Sequence, residues 1–248
     1  MKNTLRQLAR TTLKEFNLEL RKFPGGSFKP APIFDLAIHC LMEQRGQAIQ
    51  FVQVGANDGV HVDPIRKYVL RHPWEGLLVE PQPAVFSRLV ENYSAVAHRL
   101  KFENCAVSPT AKSVTLFCAP DLLDGSPEHS AAVVSVDAAT TARQLGVPRK
   151  SLRSITVPCV TLAALFEAHA IVDLDLLQID VEGHDLEVLL SMDFANHVPR
   201  VIQFESGHLS PNDCRRASDL LYSFGYSMFW GGYQGDAVAL SQEFCSFL

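Results

Sequence analysis

From residue 49 onward, short apolar runs alternate with stretches of helical periodicity, and nothing else in the chain constrains its fold as strongly. Short apolar runs bounded by turn residues fit buried strands, and a helix between successive strands returns the chain for parallel pairing. The pattern therefore predicts an α/β domain whose sheet is mostly parallel and covered by helices on both faces. The strands read as 49–54, 77–80, 102–107, 174–179 and 201–205, with helices over 62–71, 83–93, 161–169, 185–191 and 212–224. Two short strands, 226–230 and 237–240, flank the run Gly231 to Gly235. Residues 110–160 are less regular and read as a β-rich insertion, with β-like runs at 114–117, 132–136 and 155–157.

Ahead of this pattern lies a segment of different character. Residues 1–30 hold seven Lys/Arg and two Asp/Glu, a balance of +5, while the whole chain of 248 residues carries −5. The remainder is therefore at −10, and an acidic body of this kind argues against a general nucleic-acid binder. Leu5, Leu8, Leu13, Phe16 and Leu20 give residues 4–22 an amphipathic helical pattern with a basic opposite face. Phe23-Pro24-Gly25-Gly26 breaks it, and a linker is expected over 23–32, followed by a second helix at 33–45. The domain boundary is placed at 48/49, giving an N-terminal helical extension over 1–48 and a domain over 49–248. The basic helix is expected to pack on the domain or a second subunit, or to touch an anionic membrane surface.

Several classes of protein drop out. Hydrophobic residues at 47% and charged residues at 20% are ordinary for a globular chain and exclude a disordered one. No apolar run approaches the roughly 18–20 residues of a membrane helix. The N-terminus lacks the apolar stretch of a secretory signal. The six cysteines form neither a C-x-x-C pair nor a zinc-spaced cluster, so a reducing cytoplasm is the default setting.

Chemistry gathers at the predicted strand ends. Gly55-Ala56-Asn57-Asp58-Gly59 follows the first strand; glycine there permits a tight turn and a close ligand approach. Glu80 ends the second strand, 21 residues after Gly59, where a carboxylate can accept hydrogen bonds from both hydroxyls of a ribose. Gly55, Asn57, Asp58, Gly59 and Glu80 are accordingly candidate nucleoside-binding residues, with Asn104 and Ala106 of the third strand beside the base. Asp180-Val181-Glu182-Gly183-His184 follows the most apolar strand, and two carboxylates with an imidazole at a ligand-binding edge are costly unless used. Asp180, Glu182, His184 and Glu205 are the candidate catalytic groups, Asp180 doubling as a cofactor ligand. His208, His129 and Ser130 are weaker candidates. No spacing demands a metal; Asp180 and Glu205 are the pair that could hold a divalent ion.

In FVQVGANDG (51–59), GLLVEPQP (76–83), FENCAVS (102–108), VTLAALF (160–166) and LLQIDVEGHDLEVL (176–189), the chain resembles the FkbM family of S-adenosylmethionine-dependent methyltransferases. The resemblance spans about 49–240. It implies a Rossmann-like class I methyltransferase fold, with a seven-stranded, mostly parallel sheet ending in an antiparallel hairpin. It also implies S-adenosyl-L-methionine as cofactor and O-methylation of a hydroxyl on a sugar, glycan or other hydroxylated natural product. A nicotinamide-dependent oxidoreductase and a non-catalytic binding relative of the fold are the alternatives. The first lacks the third glycine of the dinucleotide fingerprint, and the second is opposed by retention of Glu80, Asp180 and Glu182. Expected partners are a small-molecule or glycan acceptor, with a homo-oligomer compatible with the sequence.

Overall fold

The computed structural model describes residues 33–118, 135–230 and 236–247. The expected basic helix at 4–22, the linker at 23–32, His129 and Ser130, most of the run 132–136, and Gly231 to Gly235 lie outside the described residues. Among the described residues, no helix is long and apolar enough to cross a membrane.

The predicted alternation resolves into a seven-stranded sheet. Its strands are β1 (Gln50–Val54), β2 (Glu75–Val79), β3 (Leu100–Glu103), β7 (Leu176–Ile179), β8 (Val201–Phe204), β9 (Tyr226–Trp230) and β10 (Ala237–Ser241). The spatial order is β3-β2-β1-β7-β8-β10-β9. The first five strands pair in parallel, and β10 runs antiparallel to both β8 and β9. β4 (Ala106–Val107), β5 (Ser113–Cys118) and β6 (Arg153–Val160) form a second, three-stranded sheet from the insertion.

Period-2 alternation divides the central strands between two cores. Val52, Val54, Leu177, Ile179, Ile202 and Phe204 face α5 (Leu162–Ala168), α6 (Asp185–Leu190) and α7 (Pro211–Ser223), which contribute Leu165, Phe166, Leu189 and Leu221. On the other face Phe51, Leu78, Leu176 and Val201 meet Phe34, Ile38 and Leu41 of α1 (Ile33–Arg45), together with Val69 of α2 (Arg66–Arg71) and Phe244 of α8 (Gln242–Phe247). Helix α1 is thus built into the core of the domain rather than standing in an extension. Arg45 pins it to the sheet through Asp173 at 2.8 Å and the buried Asp175 at 2.9 Å.

Three local expectations change. The helix expected over 62–71 begins only at Arg66, because Pro64 interrupts the chain and Asp63 Oδ1 accepts from the amides of Ile65 and Arg66, at 2.9 and 3.0 Å. The strand expected over 102–107 is two strands. It breaks at Asn104, and β4 leaves the main sheet to pair with β6. The insertion also contains a helix, α4 (Ala138–Leu145), with an Asp137 N-cap accepting from Ala139 and Thr140 and a left-handed Gly146 at its end. Between α2 and this insertion runs α3 (Pro83–Asn92), which places Leu89 in the second core.

Candidate active site

The C-terminal ends of β1, β2, β7 and β8 open into a cavity of about 490 Å³, roofed on one side by Val107, Leu116 and Cys159 of the small sheet. That volume lies in the range of small-molecule sites. Parallel strands all end at the same edge, so the turn after each one contributes to a single depression.

The turn after β1 and the end of β2 form one unit. The Asn57 amide donates to Glu80 Oε2 at 3.0 Å, and the Gln82 amide donates to Oε1 at 2.9 Å. Glu80 is only 3% exposed. Burial pushes its carboxyl up to about 7, the two amide bonds opposing and the charge of Asp58 adding to the rise. Gly55, at φ +81°, takes a conformation that favours glycine, and a Cβ there would overlap the Asp180 carbonyl oxygen. Its absence lets the ends of β1 and β7 approach.

Three residues expected to bind cofactor are not among those lining the cavity. Gly59 (φ +69°) is required by packing, since a Cβ would press into the Tyr93 ring and lie 2.7 Å from Leu89 Cδ1. Asp58 turns inward to organise its own loop. Its Oδ1 accepts from the Val60 and His61 amides at 2.9 and 3.0 Å, and its Oδ2 meets His61 Nδ1 at 2.6 Å. Burial raises that carboxyl, but these bonds outweigh it and hold it below its ordinary value. Asn104 sends its amide Nδ2 to the Glu80 carbonyl at 2.7 Å, bracing the end of β2 where the third strand breaks. Asn57, Glu80 and Ala106 do line the cavity.

The opposite end of the cavity is acidic. Asp180, Glu182, His184 and Glu205 all line it, together with His208. His208 Nδ1 lies between Glu205 Oε1 at 2.8 Å and Glu182 Oε2 at 3.0 Å. Glu182 reaches this position from a left-handed backbone (φ +53°), an uncommon conformation for a residue with a side chain, and its carbonyl accepts from Ser135 Oγ at 3.1 Å. Burial, followed by the charges of Glu205, Asp185, Glu182 and Asp236, drives the Asp180 carboxyl well above its ordinary range. Glu205 is also raised, by burial and then by Glu182, with His208 opposing. Burial lowers the imidazole of His184. Among the described residues, Glu182, Glu205 and His208 each offer one ligand atom within 4.8 Å of the others, a grouping that could hold a cation.

Sequence reasoning missed a polar layer beneath this edge. Gln53 on β1 lies in register with Gln178 on β7, which lies in register with Gln203 on β8. All three are buried. Gln203 Nε2 donates to Asp236 Oδ2 at 2.6 Å, and Gln53 bonds Asp63. Asp185, fully buried, accepts from the Glu205 amide at 3.1 Å. The available signal was a glutamine two residues before Gly55, Asp180 and Glu205 alike, in strands otherwise apolar.

A parallel core in the order β3-β2-β1-β7-β8 followed by the antiparallel pair β10-β9, with a glycine turn after the first strand and a buried acid ending the second, is the fold of class I methyltransferases. The methyltransferase FkbM domain matches residues 53–228, well over half of the chain. The chain belongs to the FkbM methyltransferase family, which uses S-adenosylmethionine. No curated protein matches it. Solved structures with a similar fold include the methyltransferase FkbM from Methylobacillus flagellatus KT, with a TM-score of 0.48 and 13% identity over 78% of this chain and 44% of that one. The METTL16 MTase domain gives 0.46 and 13% over 96% and 80%. The N-terminal domain of human METTL16 in complex with SAH gives 0.44 and 14% over 95% and 80%.

Proposed function

We propose that this chain transfers the methyl group of S-adenosylmethionine to a hydroxyl oxygen of a sugar, glycan or other hydroxylated small molecule, with His208 as general base. The carrying observation is the placement of His208 Nδ1 between the carboxylates of Glu182 and Glu205 at the cavity wall.

When bound, the cofactor supplies a methyl already activated by its sulfonium, which leaves the chain to bind, align and remove a proton. The cradle fits a nucleoside: Glu80 is clamped by two amides with its carboxylate at the cavity, suited to two ribose hydroxyls. Ala106 and the apolar side chains of Val107 and Leu116 offer a flat wall for a base. The carboxylates beyond β7 suit a cofactor with a net positive charge. An alcohol is a weak nucleophile, so its proton must leave as the new bond forms. His208 receives that proton, and Glu182 and Glu205 stabilise the resulting imidazolium and fix the ring. Asp180 and His184, both on the wall, orient the acceptor.

Calorimetry with S-adenosylhomocysteine tests the cofactor: wild type binds, and Glu80→Ala loses at least tenfold in affinity. Absence of binding to wild-type protein overturns the reading. Incubation with deuterated-methyl cofactor and candidate glycans then tests the acceptor atom by the mass shift of the product.

A further inference from the structure

The carboxyl groups of the cavity have no basic side chain of Lys or Arg facing them among the described residues. Six carboxyl-bearing residues line it, Asp63, Glu80, Asp180, Glu182, Glu187 and Glu205, and among the described residues no Lys or Arg does.

The unpaired polar atoms share the bias. Gln53 and Gln178, 2% and 3% exposed, line the cavity, and the Oε1 of each has no hydrogen-bond partner among the described residues. The same holds for Glu205 Oε2. All three atoms are acceptors. Buried acceptors left unmatched are costly, and what relieves them is a ligand that brings N–H or O–H donors. One cofactor ammonium brings three N–H bonds. Beside the acceptors lies a wall where the charges of Glu205, Asp185, Glu182 and Asp236 crowd Asp180.

Resting on the methyl-transfer reading, we infer that the acceptor is a hydroxylated amine, a polyol whose ammonium group lies against the carboxylates at the ends of β7 and β8, and that acceptors placing a phosphate or carboxylate in the cavity are refused. An ammonium near Glu182 and Glu205 relieves their mutual repulsion. A phosphate at the same place adds to it in a partly buried setting where screening is weak.

Ligand-observed NMR on the full-length chain, with and without S-adenosylhomocysteine, separates the possibilities. The probes are glucosamine, glucose and glucose 6-phosphate in EDTA-containing buffer. The expected result is glucosamine binding at least tenfold tighter than glucose 6-phosphate, with the preference shrinking at high salt and in Glu182→Gln. Equal or tighter binding of glucose 6-phosphate overturns the inference, as does failure of glucosamine to bind. A repeat with magnesium tests the Glu182, Glu205 and His208 trio: phosphate binding restored by the metal also overturns it. Loss of S-adenosylhomocysteine binding would defeat the cofactor reading alone, because the probe preference is still read on the apoprotein.

Discussion

Asn57 and Glu80, 23 residues apart, are joined by a 3.0 Å hydrogen bond from the Asn57 amide to Glu80 Oε2. The bond ties the turn after the first strand to the end of the second and aims a buried carboxylate into the cavity. With the carboxyl raised to about 7, the folded chain keeps this proton while an unfolded chain releases it near 4.5. Ionisation of Glu80 therefore subtracts stability as pH rises from 4.5 to 7, by an amount on the order of 3 kcal/mol.

Glu80→Gln removes that titration. Urea unfolding of wild type and variant across this pH window should show wild-type stability falling more steeply with pH. Cofactor hydroxyls donate to the ionised form, so wild-type affinity for S-adenosylhomocysteine should rise as pH passes upward through about 7. The variant should lack that part of the rise, and parallel pH profiles would contradict the assignment.

Gly59→Ala separates packing from binding. The new methyl group meets Tyr93 and Leu89, and the backbone sits at φ +69°. Strain and overpacking together should cost about 2–4 kcal/mol in urea unfolding. Calorimetry on the folded fraction should give a cofactor affinity within a few-fold of wild type, because Gly59 lies outside the cavity wall. A large loss of affinity at unchanged stability would restore Gly59 to the cofactor site.

His208→Gln should lower kcat by roughly 10²- to 10⁴-fold, the range expected for loss of a general base. S-adenosylhomocysteine affinity should stay within a few-fold of wild type. A variant with full kcat would transfer the proton step to another group on the wall, and Asp180 and His184 are the next residues to replace.

How much of this was legible in the sequence follows from which interactions are local. The parallel core and the acid at residue 80 follow from strand periodicity and from residues adjacent in sequence, and the antiparallel terminal hairpin from the family resemblance. Gly59 and Asp58 also have structural neighbours that periodicity does not display, Tyr93 and Leu89 for the one and the folded-back His61 for the other, set by tertiary packing or loop geometry. Asn104 falls within a continuous strand by periodicity, yet its amide supports Glu80 where that strand breaks. The placement of His208 is set only when the loops after β7 and β8 bring Glu182 and Glu205 to one imidazole nitrogen. The glutamine layer was visible in each strand, but its meaning depends on the register between them.

The domain boundary gives the last prediction. Deleting residues 1–31 leaves helix α1 in place, whereas deleting 1–48 removes Phe34, Ile38, Leu41 and Met42 from a core they share with Phe51 and Trp74. It also removes Arg45, leaving Asp173 and Asp175 with Arg200 as their remaining cation among the described residues. At about 1.5–3 kcal/mol for each large apolar side chain withdrawn from the core, the longer deletion removes on the order of 6–12 kcal/mol. That is comparable to the whole stability of a typical domain, about 5–15 kcal/mol. Chains beginning at residue 32 should unfold cooperatively in urea, and chains beginning at residue 49 should be aggregated or lack a transition. A cooperative transition of similar midpoint in both would put the boundary back at 48/49 and reduce α1 to a dispensable cover on the sheet.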